Sequence, residues 1–580
     1  MITQTTLSSR PFLDGGRFGD VGAYEWIEGI ATGAVDPAHP GNARIDGIAL
    51  APRNPAGLVE YRTQFVILRP ADPARRGRVV YEVNNRGRKL IFPNLCAGAA
   101  TNTPASMAET GTGFAMRQGW TLAWSGWDAG APRANGGLAL DAPTVPVTRR
   151  IREEFVSGTR IGVLDSFRLA HDAAGAEGAR LTVRRNTAAL RVDVPFAFAD
   201  ARTVHLLPAS TRPEPGSLYE LHYRATNPRV LGLGFAATRD FAAWLRTEEH
   251  AAFVLGFGIS QAGRYLRDHL AQGFNRAEDG SRVFDGVLIH VAGTGRMFLN
   301  TLFAQPARTR SHHEDRDFPE IAFPFATHDL LAGDATDPKV IETNTSTEYW
   351  LKGASLLHTD PAGTHDLPED PRVRGYLLAG TEHAGKAGMP RDRGPCVAPR
   401  NPHDPMPAVR ALLVALERWV ADGVAPPPSR RPRIADGTLV PAAALRFPAI
   451  PGAALAPEAN PIETVPDWVD PVPQDHGWRP LVPAVDADGN EIAGVRLPDI
   501  AAPVATYTGW NRYAAPYPEG EVADRAGMRL PFPATRAERA RSGDPRLSLE
   551  ERATPDRAGM AAALMRDGLL LAEDAAGFGG

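Results

Sequence analysis

The chain has 580 residues, and its 63 Lys and Arg against 67 Asp and Glu leave a formal charge of −4. This near balance gives no reason to expect a nucleic-acid binder, whose surface usually carries a clustered excess of basic residues. Hydrophobic residues make up 43% of the chain, which is enough for a large core and excludes a wholly disordered protein. The 57 Gly and 52 Pro argue against a helical bundle, and two cysteines, Cys96 and Cys396, cannot make a disulfide scaffold.

The two ends of the chain differ in composition from its middle. Residues 1–75 hold short alternating apolar runs between turn residues, which predicts a β-rich N-terminal region. Residues 436–580 are rich in Pro, Ala and Asp, and we expect them to pack on the core as a C-terminal extension. No basic start with an apolar stretch opens the chain, and no apolar run is long enough to cross a bilayer. These features predict a cytoplasmic protein without a membrane partner, although a chain trimmed of a secretion signal would look the same.

The middle part, residues 76–435, alternates buried strands with helices. This rhythm predicts an α/β fold, in which a mostly parallel sheet carries helices on both faces. Residues 140–225 interrupt the rhythm with short β-like runs and are predicted to form a β-rich insertion. Residues 296–336 are too long for an ordinary loop and are a candidate lid. The predicted strands are 78–83, 120–124, 253–257, 287–291, 338–343 and 373–378, and 406–421 is a closing helix.

The most informative segment runs from Leu255 to Arg264, where a predicted strand meets small residues around Ser260 and then an amphipathic helix. A serine at such a turn is held in a strained conformation that exposes its hydroxyl above the sheet. The usual motif is G-x-S-x-G, and here Ala262 replaces the last glycine. Because alanine is also small, we interpret this segment as a nucleophile elbow.

The nucleophile needs a histidine, which in this architecture follows the last core strand. His383 meets that requirement because it comes after strand 373–378 in a loop that contains glycine. His403 lies later, just before the closing helix, and is the reserve base.

The acid of such a site lies after the preceding strand, where Glu348 stands. Glu348 would orient the imidazole of His383 and stabilise its charged form. Its alternative role is that of a carboxylate in the first turn of a helix capped by Ser346 or Thr347. Asp360 and Asp366 are the other candidates, but they come after the helix and before the next strand.

An oxyanion formed at Ser260 would need hydrogen-bond donors nearby. The backbone amide of Gln261, at the start of the following helix, is predicted to be one donor. The second is predicted to be the amide of Arg86 or Gly87, in the loop after strand 78–83.

Two further motifs indicate other kinds of site. Gly232 to Ala237 matches G-x-G-x-x-A, but no clean strand precedes it and no acidic ribose ligand can be placed after it. His312 to Asp315 holds the residue types of a metal site, yet consecutive loop residues rarely converge on one ion. We therefore expect neither a cofactor nor a metal.

The motifs together resemble those of a large α/β-hydrolase-domain family of bacterial proteins that contains carboxylesterases. The resemblance implies an α/β-hydrolase fold and cofactor-independent ester hydrolysis by a serine, and it supports Ser260 and His383. It leaves Asp360 open as the acid in place of Glu348, and it leaves the substrate open. The matching stretches span most of the chain and are 81–87, 124–127, 258–264, 273–275, 284–286, 347–350, 380–383, 486–491 and 506–511.

The resulting prediction is a serine carboxylester hydrolase acting on a small-molecule ester through an acyl-enzyme. An amidase or an acyltransferase using the same residues, and a non-catalytic binding protein on a hydrolase scaffold, are the alternatives. Four aromatic residues near the site loops are equally consistent with an acyl-binding pocket and with core packing: Trp124, Trp127, Tyr349 and Trp350.

Overall fold

A computed structural model describes residues 1–157, 166–307, 314–453 and 457–578. Their largest sheet has eleven strands and lies at the centre of the fold. The strands follow one another in the sheet in the order β1–β3–β4–β6–β5–β8–β9–β10–β11, with β2 beside β3 and β7 beside β4. Their bounds are β1 Ile2–Pro11, β2 Arg17–Phe18, β3 Gly22–Val35, β4 Val59–Pro70, β5 Arg78–Glu82, β6 Thr121–Ser125, β7 Leu140–Asp141, β8 Phe253–Ile259, β9 Gly286–His290, β10 Lys339–Thr345 and β11 Val373–Leu378.

The sheet has a parallel part and an antiparallel part. From β6 through β5 to β11, every neighbouring pair of strands is parallel. Strand β8 lies inside this part, and all seven of its residues are buried, as expected where both faces of a sheet are covered. Strands β1, β3 and β4 continue the same sheet in antiparallel fashion, so residues 1–75 share it with the rest of the chain.

Helices cover both faces of the sheet. Helices α1, Leu233–Glu248, and α2, Gln261–Ala271, pack on one face with Val79 and Tyr81 of β5. Helices α3, Ser346–Leu351, and α4, Met406–Asp422, follow, and α4 packs on the opposite face with Val80. Successive residues of β5 point to opposite faces, as the two-residue period of a strand requires. The predicted α/β-hydrolase fold class is confirmed.

The remaining helices are short. They are Ile91–Leu95, Phe114–Arg117, Glu314–Asp317, Pro498–Ala501, Arg536–Ser542, Arg557–Arg566 and Ala572–Ala575. Among the described residues, none of the helices combines the length and the apolar character needed to cross a membrane.

The β-rich insertion forms two small sheets apart from the central one. The C-terminal extension adds two antiparallel strand pairs, Leu439–Val440 with Val482–Pro483 and Ala505–Tyr507 with Arg529–Pro531. The strands of the insertion are Thr148–Val156, Ser166–Arg168, Asp172–Ala173, Arg180–Arg184, Val192–Asp193, Phe196–Asp200, Thr203–Leu206 and Leu218–Thr226.

The candidate lid, 296–336, is described except for residues 308–313. Its first part packs in the main core, where Phe298, Leu299 and Phe303 are buried. This packing does not support opening of the whole segment, and the lid stays a prediction. His312 and His313 lie outside the described residues.

Candidate active site

Ser260 lies between β8 and α2 in a backbone conformation that L-amino acids rarely adopt, with φ 61° and ψ −117°. Its amide donates to the carbonyl oxygen of His290 at 2.8 Å, which ties the turn to the end of β9. Small neighbours are required here. A Cβ at Gly258 would lie 2.5 Å from the carbonyl oxygen of Ala262, and one at Gly263 would lie 2.9 Å from that of His290. The turn therefore has the geometry predicted for a nucleophile elbow.

His383 lies between Ser260 and Glu348. Its Nε2 is 2.8 Å from Oγ of Ser260, and its Nδ1 is 2.5 Å from Oε1 of Glu348. The carboxylate favours the tautomer with the proton on Nδ1, so that Nε2 can accept the serine proton. The amide of His383 donates to Oγ1 of Thr347 at 3.1 Å, which fixes the loop after β11 against α3.

Glu348 uses its two oxygens for different purposes. Oε2 accepts the amide of Thr345 at 3.0 Å and also the Thr345 hydroxyl, forming a capping box at the start of α3. Oε1 holds His383. The capping residue is therefore Thr345, not Ser346 or Thr347 as predicted, and the two roles of Glu348 coexist because the cap fixes the carboxylate that faces the imidazole.

The other predicted acids lie elsewhere. Asp360 accepts the amides of Thr364 and His365 in its own loop, at 2.6 and 2.7 Å. Asp366 accepts the amide of Ile434 at 3.0 Å. The reserve base His403 lies 3.7 Å from a carboxylate oxygen of Asp499. None of these three side chains is hydrogen-bonded to Ser260, His383 or Glu348 in the described structure.

Burial and charge shift the pKa values of both His383 and Glu348. Burial lowers the pKa of His383, and Glu348 opposes this effect only in part. Burial alone would raise the pKa of Glu348, but the charge of His383 and the hydrogen bonds from His383 and Thr345 hold that pKa below its ordinary value. The arrangement keeps Glu348 ionised and His383 neutral near pH 7, as a base requires.

The predicted oxyanion donors differ in how their amides are engaged. Within the described residues, the amide of Gln261 has no hydrogen-bond acceptor. By contrast, the amide of Arg86 donates to the carbonyl oxygen of Asn84 at 3.0 Å, and the amide of Gly87 donates to the Asn84 side chain at 2.6 Å. Asn84 thus engages both amides within the same loop, and the choice of Arg86 or Gly87 as the second oxyanion donor stays a prediction.

The four aromatic residues near the site belong to the core. The indole N–H groups of Trp124 and Trp127 donate to Glu82 and to the carbonyl oxygen of Asn84, at 2.5 and 2.8 Å. Tyr349 and Trp350 are buried in two smaller apolar clusters that include residues of the C-terminal extension. This arrangement favours core packing over an acyl pocket.

Sequence reasoning missed the C-terminal residues that hold these loops. Oε2 of Glu491 accepts the hydroxyl of Ser346 at 2.7 Å and the amide of Gly380 at 2.8 Å. Thr347 donates its hydroxyl to the carbonyl oxygen of Gly509 at 2.6 Å. The stretches 486–491 and 506–511 were among those resembling the family, but nothing local in them indicates a contact with the site.

The glycine motif and the one cluster of acids in the described structure have explanations other than ligand binding. Gly234 of the G-x-G-x-x-A segment lies so close to the carbonyl oxygen of Trp127 that a side chain would overlap it, so this glycine serves helix packing. Among the described residues, one group of acids could hold a metal: Glu154, Glu220 and Asp317. Arginines already pair with these carboxylates, as Arg152 and Arg184 do with Glu220, both at 3.1 Å.

A family model described as "Alpha/beta hydrolase domain" matches residues 205–577, more than half of the chain. The chain belongs to this α/β-hydrolase-domain family. The matched range contains Ser260, Glu348 and His383 but excludes β1 to β7. Family membership and the strand order together establish a hydrolase fold.

Comparison with solved structures finds distant similarities. A glucuronoyl esterase from Solibacter usitatus is 12% identical over 64% of this chain and 80% of its own, with a TM-score of 0.26. A CE15 glucuronoyl esterase from Teredinibacter turnerae T7901 is 12% identical over 62% and 63%, with a TM-score of 0.23. An S-formylglutathione hydrolase from Agrobacterium tumefaciens is 8% identical over 55% and 76%, with a TM-score of 0.19. No curated protein matches significantly.

Proposed function

We propose that this α/β-hydrolase cleaves carboxylic esters with Ser260 as nucleophile, His383 as general base and acid, and Glu348 as the carboxylate that orients it. The observation that carries the proposal is the continuous series of hydrogen bonds from Ser260 Oγ through His383 to Glu348. The strained turn at Ser260 supports it, because strain of this kind persists where the surrounding structure over-determines it.

The reaction proceeds in two halves. Oγ of Ser260 attacks the ester carbonyl carbon as its proton passes to Nε2 of His383, and the carbonyl oxygen becomes an oxyanion facing the amide of Gln261. The intermediate expels the alcohol, which takes the proton from His383 and leaves an acyl group on Ser260. In the second half, His383 removes a proton from water, and the resulting nucleophile attacks the acyl carbon. The bond from this carbon to Oγ of Ser260 then breaks, Oγ takes the proton back from His383, and the carboxylic acid leaves.

The first test replaces the nucleophile. Ser260→Ala is expected to abolish hydrolysis of short-chain aryl esters and labelling by a fluorophosphonate, while the folded structure is kept. The exposed Ser542→Ala is the matched control and should retain full activity. Wild-type activity in Ser260→Ala would refute the proposal, and an unlabelled, inactive wild-type protein would favour the non-catalytic alternative.

The second test separates the two candidate acids. Glu348→Gln keeps the size of the side chain but removes the charge that selects the tautomer of His383, so kcat should fall by about 1,000- to 10,000-fold. Asp360→Asn should leave kcat unchanged, because Asp360 binds only its own loop. Steady-state kinetics on one aryl ester decides, and the reverse ranking of the two variants would transfer the role to Asp360.

A further inference from the structure

A cavity of about 540 Å³ lies beside the candidate active site, at the carboxyl edge of the sheet. Its floor includes Arg86 and Asp128, which follow β5 and β6, and Pro306, in the segment after β9. The side-chain amide of Gln261, the residue after Ser260, donates to the carbonyl oxygen of Pro306 at 2.8 Å. One lining residue of the cavity is therefore hydrogen-bonded to the residue that follows the nucleophile, and the size of the cavity is typical of a small-molecule site.

The β-rich insertion forms the opposite wall of this cavity. Glu153 and Glu154 come from its first strand, residues 168–172 from the end of strand Ser166–Arg168 to the start of strand Asp172–Ala173, and Arg202 from the turn before strand Thr203–Leu206. The insertion thus encloses a space above the edge of the sheet that the hydrolase core alone would leave open. This placement gives the insertion a function in substrate selection.

Four arginines line the cavity, and two of them already have carboxylate partners. Arg86 pairs with Asp128 at 2.9 Å, and Arg202 pairs with Asp172 at 2.5 Å. Each of these pairs cancels its own charge, so neither leaves a cation for a ligand.

Arg168 and Arg229 are different. No carboxylate of the described residues lies within 4.0 Å of either guanidinium, and the single hydrogen bond of Arg229, to the carbonyl oxygen of Ala129, is long at 3.4 Å. Arg168 is exposed at the rim, whereas Arg229 is half-buried. A guanidinium fork without a carboxylate partner is suited to bidentate recognition of a carboxylate.

The acids of the wall do not neutralise these two arginines. Glu153 accepts the hydroxyl of Tyr223 and the amide of Ala170 at 2.8 Å, and burial raises its pKa to about 7. Glu154 lies 3.7 Å from the guanidinium of Arg152, a residue that does not line the cavity. His171 is held neutral, since burial foremost and then the charges of Arg202 and Arg229 lower its pKa to about 4. The cavity therefore carries an excess of positive charge.

We infer that this cavity binds the part of an ester substrate that carries a free carboxylate, with Arg229 and Arg168 as the recognition residues. The inference rests on the proposed function and adds the substrate class to it. The carboxylate can belong to the acyl half or to the alcohol half of the ester, and the tests include both cases.

Two pairs of esters test the inference, each pairing a carboxylate with its neutral carboxamide. The acyl pair is the 4-nitrophenyl monoester of adipic acid and that of adipamic acid. The alcohol pair is 4-acetoxybenzoate and 4-acetoxybenzamide. In at least one pair, wild-type kcat/KM should be about 10- to 100-fold higher for the carboxylate, as a charge-assisted hydrogen bond provides. Equal kcat/KM within twofold in both pairs would overturn the inference and leave the proposed function intact.

Variants then locate the preference. Arg229→Gln, alone and with Arg168→Gln, should reduce the carboxylate preference to about twofold or less, because kcat/KM falls far more for the carboxylate ester than for the carboxamide ester. Arg149→Gln, an exposed arginine on the insertion that does not line the cavity, is the matched control and should keep the preference. A preference that survives in the double variant would contradict the assignment to these two residues.

A binding measurement keeps the inference testable even if no ester is hydrolysed. Calorimetric titration of the wild-type protein with adipic acid monoanilide and with its carboxamide counterpart should show about tenfold tighter binding of the acid. Tighter binding of the acid without ester hydrolysis would support the anion site and refute the proposed function. Equal binding together with no hydrolysis would refute both.

Discussion

The two terminal regions of the molecule are joined to the rest of the fold in different ways. Residues 1–75 contribute long strands, and β3 pairs with β4 over twelve residues, from Tyr24 opposite Pro70 to Val35 opposite Val59. The described part of the C-terminal extension has only short strands; buried apolar clusters join it to the core, and individual hydrogen bonds join it to the loops around the candidate site. Glu491 and Gly509 accept such bonds from Ser346, Gly380 and Thr347.

The attachment of the N-terminal region lies farther from the reacting groups than that of the C-terminal extension. Strand β1 is five strands away from β8 in the sheet, which corresponds to about 24 Å at the usual spacing between strands. Glu491 is hydrogen-bonded to Gly380, three residues before His383. The comparison indicates that the N-terminal strands chiefly stabilise the fold, whereas the C-terminal extension positions the histidine and the acid, where small displacements reduce the rate.

Among the changes that test this comparison of the two terminal regions, the largest effect is expected from a single methyl group in the C-terminal extension. A Cβ at Gly509 would overlap the backbone of Ser346 and Thr347, in the first turn of α3. Gly509→Ala should therefore displace Glu348 relative to His383 and lower kcat about 100-fold, as expected for a misplacement near 1 Å. The measurement is kcat on an aryl ester, together with circular dichroism to confirm folding. A kcat within threefold of wild type would argue against the positioning role.

The matched N-terminal change is Gly29→Ala in β3. A Cβ there would overlap the carbonyl oxygen of Thr6 in β1 and would lie 3.0 Å from the ring of Phe65. Crowding of this kind should lower the free energy of unfolding by about 1–3 kcal/mol, with kcat at 25 °C unchanged. Thermal unfolding and kinetics on the same preparation test the contrast with Gly509→Ala. A fall in kcat comparable to that of Gly509→Ala would remove the distinction between the two regions.

A smaller effect is expected at Glu491. Glu491→Ala leaves the hydroxyl of Ser346 and the amide of Gly380 without their buried acceptor, which costs about 1–3 kcal/mol for each group. We expect kcat to fall about tenfold while KM changes little. Burial raises the pKa of Glu491 to about 7, so Glu491→Gln resembles the protonated side chain and should restore most of kcat. Failure of glutamine to restore kcat would show that the charge, rather than the acceptor oxygen, matters.

Local patterns were sufficient to predict the fold class and the three central residues of the candidate site. Strand β8 is apolar throughout, and the small residues around Ser260 are required by contacts within the turn itself. Glu348 could be chosen because the order of strands places the ends of β10 and β11 beside each other. These features depend on neighbours that the chain order already implies.

The features that sequence reasoning missed depend on contacts between distant residues. Glu491 lies 111 residues from Gly380 and 145 from Ser346, and no periodicity or spacing relates such positions. The second oxyanion donor shows the same limit, since Oδ1 of Asn84 accepts the amide of Gly87 at 2.6 Å and the choice of Arg86 or Gly87 stays a prediction. A rule based on the position of a loop cannot anticipate the hydrogen bonds that an asparagine within it will make.

The smallest expected effect concerns the pH dependence of activity. Burial lowers the pKa of His383, and after the opposing effect of Glu348 the charge of Arg525, in the C-terminal extension, lowers it further. The base must be neutral, so the acid limb of kcat/KM should lie below pH 6.5. Arg525→Gln removes a positive charge, which should raise the pKa of His383 and move the acid limb to higher pH. The exposed Arg541→Gln should leave the limb in place, and an unmoved or lowered limb in Arg525→Gln would mean that the C-terminal extension positions His383 without tuning its protonation.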